Sequence, residues 1–290
     1  MRIALLGLGL IGGSIAHALR RARPDWILAA WSPSGSGPAA ATAAGAVDRV
    51  AGSPVAALEG ADLVVLAGPP HACLDLVDAL AGPLRERLRP EAVVTDVAST
   101  KAAIVARADA AGLRFVGGHP MAGREASGFA ASDPDLFRDR PWVIVPGGVA
   151  GPEDRALVEE LATACGARPV AMTAADHDAA VAAISHLPLI VSAALVEAVA
   201  GADGPARPGW ATSAGLAAGG WQGMTRLARG DVEMGAGIVA TNAGPIAARI
   251  RDLRAVLDGW LSDLERPDGP DLAVLAARLA TARRRLEDGG

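Results

Sequence analysis

The chain of 290 residues contains no tyrosine, two cysteines and five histidines. Cys73 and Cys165 stand alone and far apart, which argues against a disulfide framework and against a cysteine metal centre. The histidines are scattered, and no metal-ligand spacing, internal repeat or low-complexity tract occurs. There is no long basic run and the net charge is −5, so nucleic acid is not an expected partner. Glycine, proline or charge breaks every apolar run, so no membrane span is expected. The first strand begins almost at Met1, which leaves no room for a signal peptide. These absences point to a cytoplasmic, soluble protein. With 51% hydrophobic and 20% charged residues it should be globular, and its length fits one large domain or two ordinary ones.

The first half alternates strands and helices. RIALLGL (2–8) is a short apolar run that stops at glycine and reads as a buried strand. IGGSIAHALRRA follows with helical spacing and ends before Pro24. WILAAWS (26–32), ADLVVLAGPP (61–70), EAVVTDVAS (91–99), RFVGGHP (114–120) and RPWVIVP (140–146) read as further strands. This alternation predicts an α/β fold with a doubly wound, mostly parallel sheet.

The first strand-to-helix turn is GLGLIG, with Gly7, Gly9 and Gly12 at G-x-G-x-x-G spacing. Gly7 permits the tight turn, Gly9 lets a pyrophosphate reach the backbone, and Gly12 lets helix and strand pack closely. Leu10 and Ile11 complete the loop, whose helix N-terminus faces the anion. This predicts a Rossmann-type dinucleotide site. An acid usually ends the second strand to hold the ribose 2′-hydroxyl. Here that place is near Ser32, and no acid occurs between Asp25 and Asp48. The missing carboxylate removes repulsion against a 2′-phosphate, and Ser32, Ser34 and Ser36 could donate to one. These features favour NADP, but no arginine follows Ser32 as the usual positive partner, so NAD stays open.

Ligands in open α/β sheets lie beyond the carboxyl ends of the strands. Gly68 and Pro69, Ser99 and His119 each follow a predicted strand, which would bring them to one edge. In GGHPMAG (117–123), glycines permit close approach and Pro120 restricts His119, so the imidazole should stand in a tight, open turn. Its ordinary pKa of about 6.5 suits a neutral base. A hydrogen-bonded structural histidine is the competing reading.

From about Thr173 the chain reads as helical, which predicts domains at 1–172 and 173–290. TAADHDAAVAAISHLPLIVSAALVEAVAG should be a long helix interrupted at Pro188, with His186 just before the kink. Asp178 lies eight residues earlier, about 80° away around a helix, so both could face one cleft. A buried Arg226 would suit an acidic substrate. Segments 245–264 and 271–288 are amphipathic helices whose apolar faces need partners.

In order and at these intervals, GLGLIGGS (7–14), TDVASTK (95–101), GGHPMAG (117–123), ADHDAAVAAISHLP (175–188) and MTRLARG (224–230) resemble the prephenate and arogenate dehydrogenases of tyrosine biosynthesis. The resemblance covers nearly the whole chain. It implies that His119 binds the ring hydroxyl of a small acidic cyclohexadiene and takes its proton. It implies that Ser99 orients that histidine near the nicotinamide, that Arg226 binds a substrate carboxylate, and that His186 stands in the substrate cleft. It also implies a homodimer interlocked through the helical domain. Some prephenate-specific members carry a second histidine where this chain has Leu189, and some members of the family carry a pocket tryptophan where it has Gly235. Both departures, with the serine-rich end of the second strand, resemble the NADP-using arogenate branch. Asp178 is the candidate partner for an arogenate ammonium. The competing readings are another two-domain reductase, of the 3-hydroxyacid dehydrogenase or imine reductase type, and a non-catalytic nucleotide-binding sensor. Neither would be expected to need GGHPMAG together with ISHLP.

Overall fold

Alternating apolar residues build one sheet with a core on each face. The computed structural model describes residues 1–124, 126–202 and 204–288. It opens with β1 (Arg2–Leu6), α1 (Leu10–Ala22), β2 (Ile27–Trp31), α2 (Ser36–Ala43), β3 (Arg49–Val50), α3 (Pro54–Leu58), β4 (Leu63–Leu66) and α4 (Pro70–Ala81). It continues through β5 (Val93–Asp96), α5 (Ala102–Ala110), β6 (Phe115–Pro120), β7 (Pro141–Pro146), α6 (Pro152–Ala164) and β8 (Arg168–Ala171). The strands lie in the order β3-β2-β1-β4-β5-β6-β7-β8. All neighbours run parallel except β6 and β7. Successive side chains point to opposite faces. Ile3, Leu5, Val65 and Val93 therefore join one core, and Ala4, Leu6, Val64 and Val94 the other.

Connections leave β1 in one direction through β2 and in the other through β4. That reversal is the topological switch point where doubly wound sheets hold ligands. The carboxyl ends of β1, β4, β5 and β6 share that edge, since these strands are parallel and adjacent.

After β8 the described elements are helical. The first, α7 (Ala174–Val181), runs through a π-helical segment, Ala182–His186, into α8 (Leu187–Ala200). The proline-interrupted helix is thus one continuous rod with a widened turn. Pro188 has no N–H, and the Leu187 N–H bonds back to the Ala182 carbonyl five residues earlier. The helix Ala174–Ala200 contains an 18-residue window of mean hydropathy 2.1 and is long and apolar enough to cross a membrane by length and composition only. The proline widens the helix instead of ending it, so the apolar run continues through it. The same helix buries His177, Asp178, His186 and Ser192.

The chain continues with α9 (Trp210–Gly215), α10 (Gly219–Thr225), a 3-10 turn at Arg226–Arg229, α11 (Val232–Thr241), α12 (Ala243–Leu264) and α13 (Leu272–Asp288). By packing, the chain forms two units, Met1–Ala243 and Gly244–Gly290. In the first, α7 packs on α5 and α11 on α4. The second is a helical hairpin in which Arg278 pairs with Asp263 at 3.0 Å and lies 4.8 Å from the centre of the Trp260 ring. Leu257, Leu261, Leu264, Leu272, Leu279 and Leu286 face outward from that hairpin.

Candidate active site

The glycine turn has the shape its spacing predicts. Gly7 takes φ +114°, and a Cβ there would fall 2.3 Å from the Ala67 carbonyl oxygen. A Cβ on Gly12 would fall 2.2 Å from the Gly7 carbonyl oxygen. Only hydrogen fits at either place. Gly9 differs, because a Cβ there would meet nothing within 4 Å. It opens onto free space at the start of α1, where no side chain caps the helix and no acid occupies the first turn. Uncapped N–H groups, a positive helix end and an open backbone fit a dinucleotide pyrophosphate. Leu10 is buried and Ile11 half-buried behind the turn.

No carboxylate ends β2. The next acid, Asp48, accepts from the Leu28 N–H at 2.7 Å and from Arg20 at 2.6 Å, which ties it away from a ribose. Ser32 is half-buried after the strand, and Ser34 and Ser36 are exposed and 3.1 Å apart. Gly68 and Pro69 lie at the end of β4, where Pro69 precedes the first turn of α4.

GGHP is strand where a turn was expected. Gly117, Gly118 and His119 pair with Val145, Ile144 and Val143 of β7. The glycines serve close packing within the protein. A Cβ on Gly118 would lie 2.6 Å from the Asp96 carbonyl oxygen, and one on Gly117 would lie 3.1 Å from Lys101 Cδ. His119 therefore stands on rigid sheet at the shared edge.

A buried polar seam runs beneath it. Asp96, at the end of β5, accepts from the Gly118 and Ala98 N–H groups, each at 3.1 Å, and pairs with Lys101. Both side chains of that pair are fully buried. Lys101 is the chain's one lysine. Its backbone N–H and that of Ala102 donate to Asp178, at 2.8 and 2.9 Å. Asp178 thus caps the start of α5. It also lies 2.7 Å from His177 Nδ1, while His177 Nε2 lies 2.8 Å from His119 Nδ1. The other nitrogen of His119 has no protein partner among the described residues and is not sealed from solvent.

Burial depresses the His119 pKa well below its ordinary value, and the charge of Lys101 adds to the effect. The imidazole is neutral at neutral pH. Burial alone would raise the Asp178 carboxyl, but hydrogen bonds from His177, Ala102 and Lys101 outweigh it and hold the group ionised. His186 is lowered to about 4, chiefly by burial. Its Nδ1 lies 3.0 Å from Asn242 Nδ2, which also donates to the Asp178 carbonyl at 2.9 Å. The wide π turn reduces the rotation per residue. The eight-residue step from Asp178 to His186 thus comes closer to whole turns, and one amide reaches both.

Asp178 was expected to line the substrate cleft. It is turned into the protein instead, with its carboxylate taken up by two backbone donors and a histidine, so it is not placed to receive an ammonium. Ser99 is half-buried beyond β5 and makes no side-chain hydrogen bond among the described residues; the partner of His119 is His177. Arg226 is exposed, not buried as would have suited an acidic substrate. Its turn packs on α8, where the Ala228 N–H donates to Ser192. Leu189 and Gly235 face one another, with Leu189 Cδ2 3.8 Å from where a Gly235 Cβ would stand. His177, Lys101, Asp96 and Asn242 escaped sequence reasoning. For Asp96, Lys101 and His177 the only signal was membership of the TDVASTK and ADHD segments, and Asn242 had none. His71 pairs with Glu233 at 2.9 Å and ties α4 to α11.

Residues 15–171 match the family model described as prephenate dehydrogenase, nucleotide-binding domain. Residues 173–276 match prephenate dehydrogenase, dimerization domain. The chain is 32% identical over 273 residues to a prephenate dehydrogenase of Bacillus subtilis, covering 93% of this chain and 72% of that protein. It is similar to the crystal structure of Synechocystis arogenate dehydrogenase, with TM-score 0.78, 32% identity, and 99% and 100% of the two chains covered. The prephenate dehydrogenase of A. aeolicus, solved with hydroxyphenyl propionate and NAD+, gives TM-score 0.84 and 26% identity over 99% and 98% of the two chains.

Proposed function

The chain belongs to the prephenate dehydrogenase family, and from that premise we propose that it prefers arogenate with NADP and that His119 takes the substrate's proton. The enzyme catalyses oxidative decarboxylation of prephenate or arogenate, with transfer of a hydride to NAD(P). When bound at the glycine turn, the nicotinamide supplies the hydride acceptor. The chain's own task is to position the ring and polarise its C4 hydroxyl, since aromatisation on loss of CO2 supplies driving force.

The observation that carries the reading is a neutral imidazole on a rigid strand, with one nitrogen held from behind and the other open at the switch-point edge. His119 accepts the hydroxyl proton there. Ser99, at the end of the neighbouring strand, is within the same edge and supports the hydroxyl. Arg226 takes a substrate carboxylate, and His186 lines the cleft. Two features support NADP: β2 ends without an acid, and Asp48 is held by Arg20 and the Leu28 N–H. Leu189 opposite Gly235 supports arogenate, because an apolar contact stands where some prephenate-specific members have a histidine and some members of the family a tryptophan. We take 1–172 as the cofactor domain and 173–290 as the substrate and dimerisation domain. The outward leucines of α12 and α13 suit a homodimer. A cytoplasmic location fits a helix Ala174–Ala200 whose histidines and Asp178 are buried in protein.

The test is an assay of arogenate and prephenate, each with NADP and NAD, alongside His119→Asn. We expect the highest kcat/KM for arogenate with NADP. Turnover of H119N should fall by about 10²–10⁴-fold with cofactor affinity near wild type. Turnover near wild type in H119N would remove the base assignment, and a prephenate or NAD preference would remove the finer one.

A further inference from the structure

We propose that His177 is a positioning residue that dictates which nitrogen of His119 is free to take a proton, a reading that rests on His119 being the base. The argument runs from donors whose identity is fixed. The N–H groups of Lys101 and Ala102 are backbone donors, and both aim at the Asp178 carboxylate. An ionised carboxylate only accepts, so the His177 nitrogen 2.7 Å from it, Nδ1, carries a proton. A neutral His177 then has only a lone pair at Nε2. The facing atom, His119 Nδ1 at 2.8 Å, must be the donor. His119 is left with its lone pair on Nε2, the nitrogen that has no protein partner and is not sealed.

The seam therefore presets the tautomer that a base needs. When Nε2 takes the hydroxyl proton, the substrate O–H bond breaks and an N–H bond forms. His119 becomes an imidazolium whose Nδ1–H already points at His177, with the Asp178 carboxylate behind it. Each imidazole hands the orienting effect of that carboxylate one ring further. The opposite arrangement would need His177 as an imidazolium donating at both ends, with the His119 proton on Nε2. That arrangement adds a charge to a ring that is fully buried.

Histidine-selective 15N labelling with two-bond 1H–15N spectra reads the tautomer directly, the His119 signals being assigned by their loss in H119N. Wild-type protein should give His119 as the Nδ1–H form. His177→Leu should lose that preference and lower kcat about a hundredfold, by analogy with the cost of a wrong tautomer, with KM little changed. His177→Gln places an amide oxygen where Nε2 stood, and should restore the Nδ1–H form and at least about a tenth of wild-type kcat. An Nε2–H form in wild-type protein, or H177L turnover within about threefold of wild type, would overturn the inference. Failure of the base assignment would appear separately, as undiminished turnover in H119N.

Discussion

The glycine turn and the seam beneath His119 lie on one sheet edge and work by opposite means. The turn has no titratable side chain and functions through what is missing: Cβ atoms at Gly7 and Gly12, a cap at Gly9 and an acid in the first turn. The seam is crowded with ionisable groups and functions because nearly all of them are satisfied. Asp96, Lys101, Asp178 and His177 are buried, and each has a partner. An anion site tolerates open backbone because its ligand completes it. A proton site needs its surroundings complete beforehand, since any loose group would let the imidazole turn.

The largest expected effect comes from breaking the seam. Lys101→Met keeps an unbranched chain but leaves the buried Asp96 carboxylate without its cation. Removing one partner of a buried ion pair costs about 3–5 kcal/mol, which urea unfolding would read. Lys101→Arg sharpens the point. Of 27 basic residues in the chain, this alone is lysine. Its stem is packed closely enough that a Cβ on Gly117 would sit 3.1 Å away. A guanidinium should overpack the site and lose about 1–3 kcal/mol despite keeping the charge. An arginine variant as stable as wild type would refute the packing argument.

The two regions also differ in how far the amino-acid sequence discloses them. Apolar runs ending at glycine, and a G-x-G-x-x-G turn between strand and helix, obey local rules, so the sheet and the dinucleotide turn could be read directly. His119 stood out as an imidazole between glycines and proline. The seam is held by pairings of a different kind: Asp96 to Lys101 across a strand-to-helix corner, Lys101 to Asp178 over 77 residues, and His119 to His177 over 58. No spacing rule encodes those. Asp178 read as a cleft residue because helical periodicity gives a direction but not which neighbour fills it. The strand β8 was missed because it is a short edge strand carrying Pro169, a residue that sheets accept at edges and strand ends.

Acid should separate the regions next. His186 has a pKa of about 4 in the folded chain and about 6.5 when unfolded. As pH falls through that window the unfolded state binds the proton first, so folding stability falls with pH. The loss attributable to His186 is about 2 kcal/mol at pH 5 and approaches 3 kcal/mol well below pH 4. His119 is depressed in the same direction and steepens the slope. Urea midpoints measured from pH 7 to pH 5 should decline. His186→Asn should be weaker at pH 7 yet show a flatter decline. A flat wild-type profile would mean that the histidines are not buried neutral.

The finest discrimination lies within the turn itself. Gly12→Ala and Gly9→Ala add the same methyl group three residues apart. At Gly12 it would meet the Gly7 carbonyl oxygen at 2.2 Å, so backbone must move. That should cost the free protein about 1–3 kcal/mol and weaken dinucleotide binding as well. At Gly9 the methyl meets only open space, and φ is −86°, which alanine tolerates. Stability of the free protein should stay within about 0.5 kcal/mol of wild type. Affinity for NADP should still fall, because the methyl occupies the approach of the pyrophosphate to the backbone. Thermal unfolding and calorimetric titration on the two variants separate these effects. A Gly9→Ala protein that binds the dinucleotide at full strength would show that the pyrophosphate lies elsewhere on the edge, whatever the seam below it does.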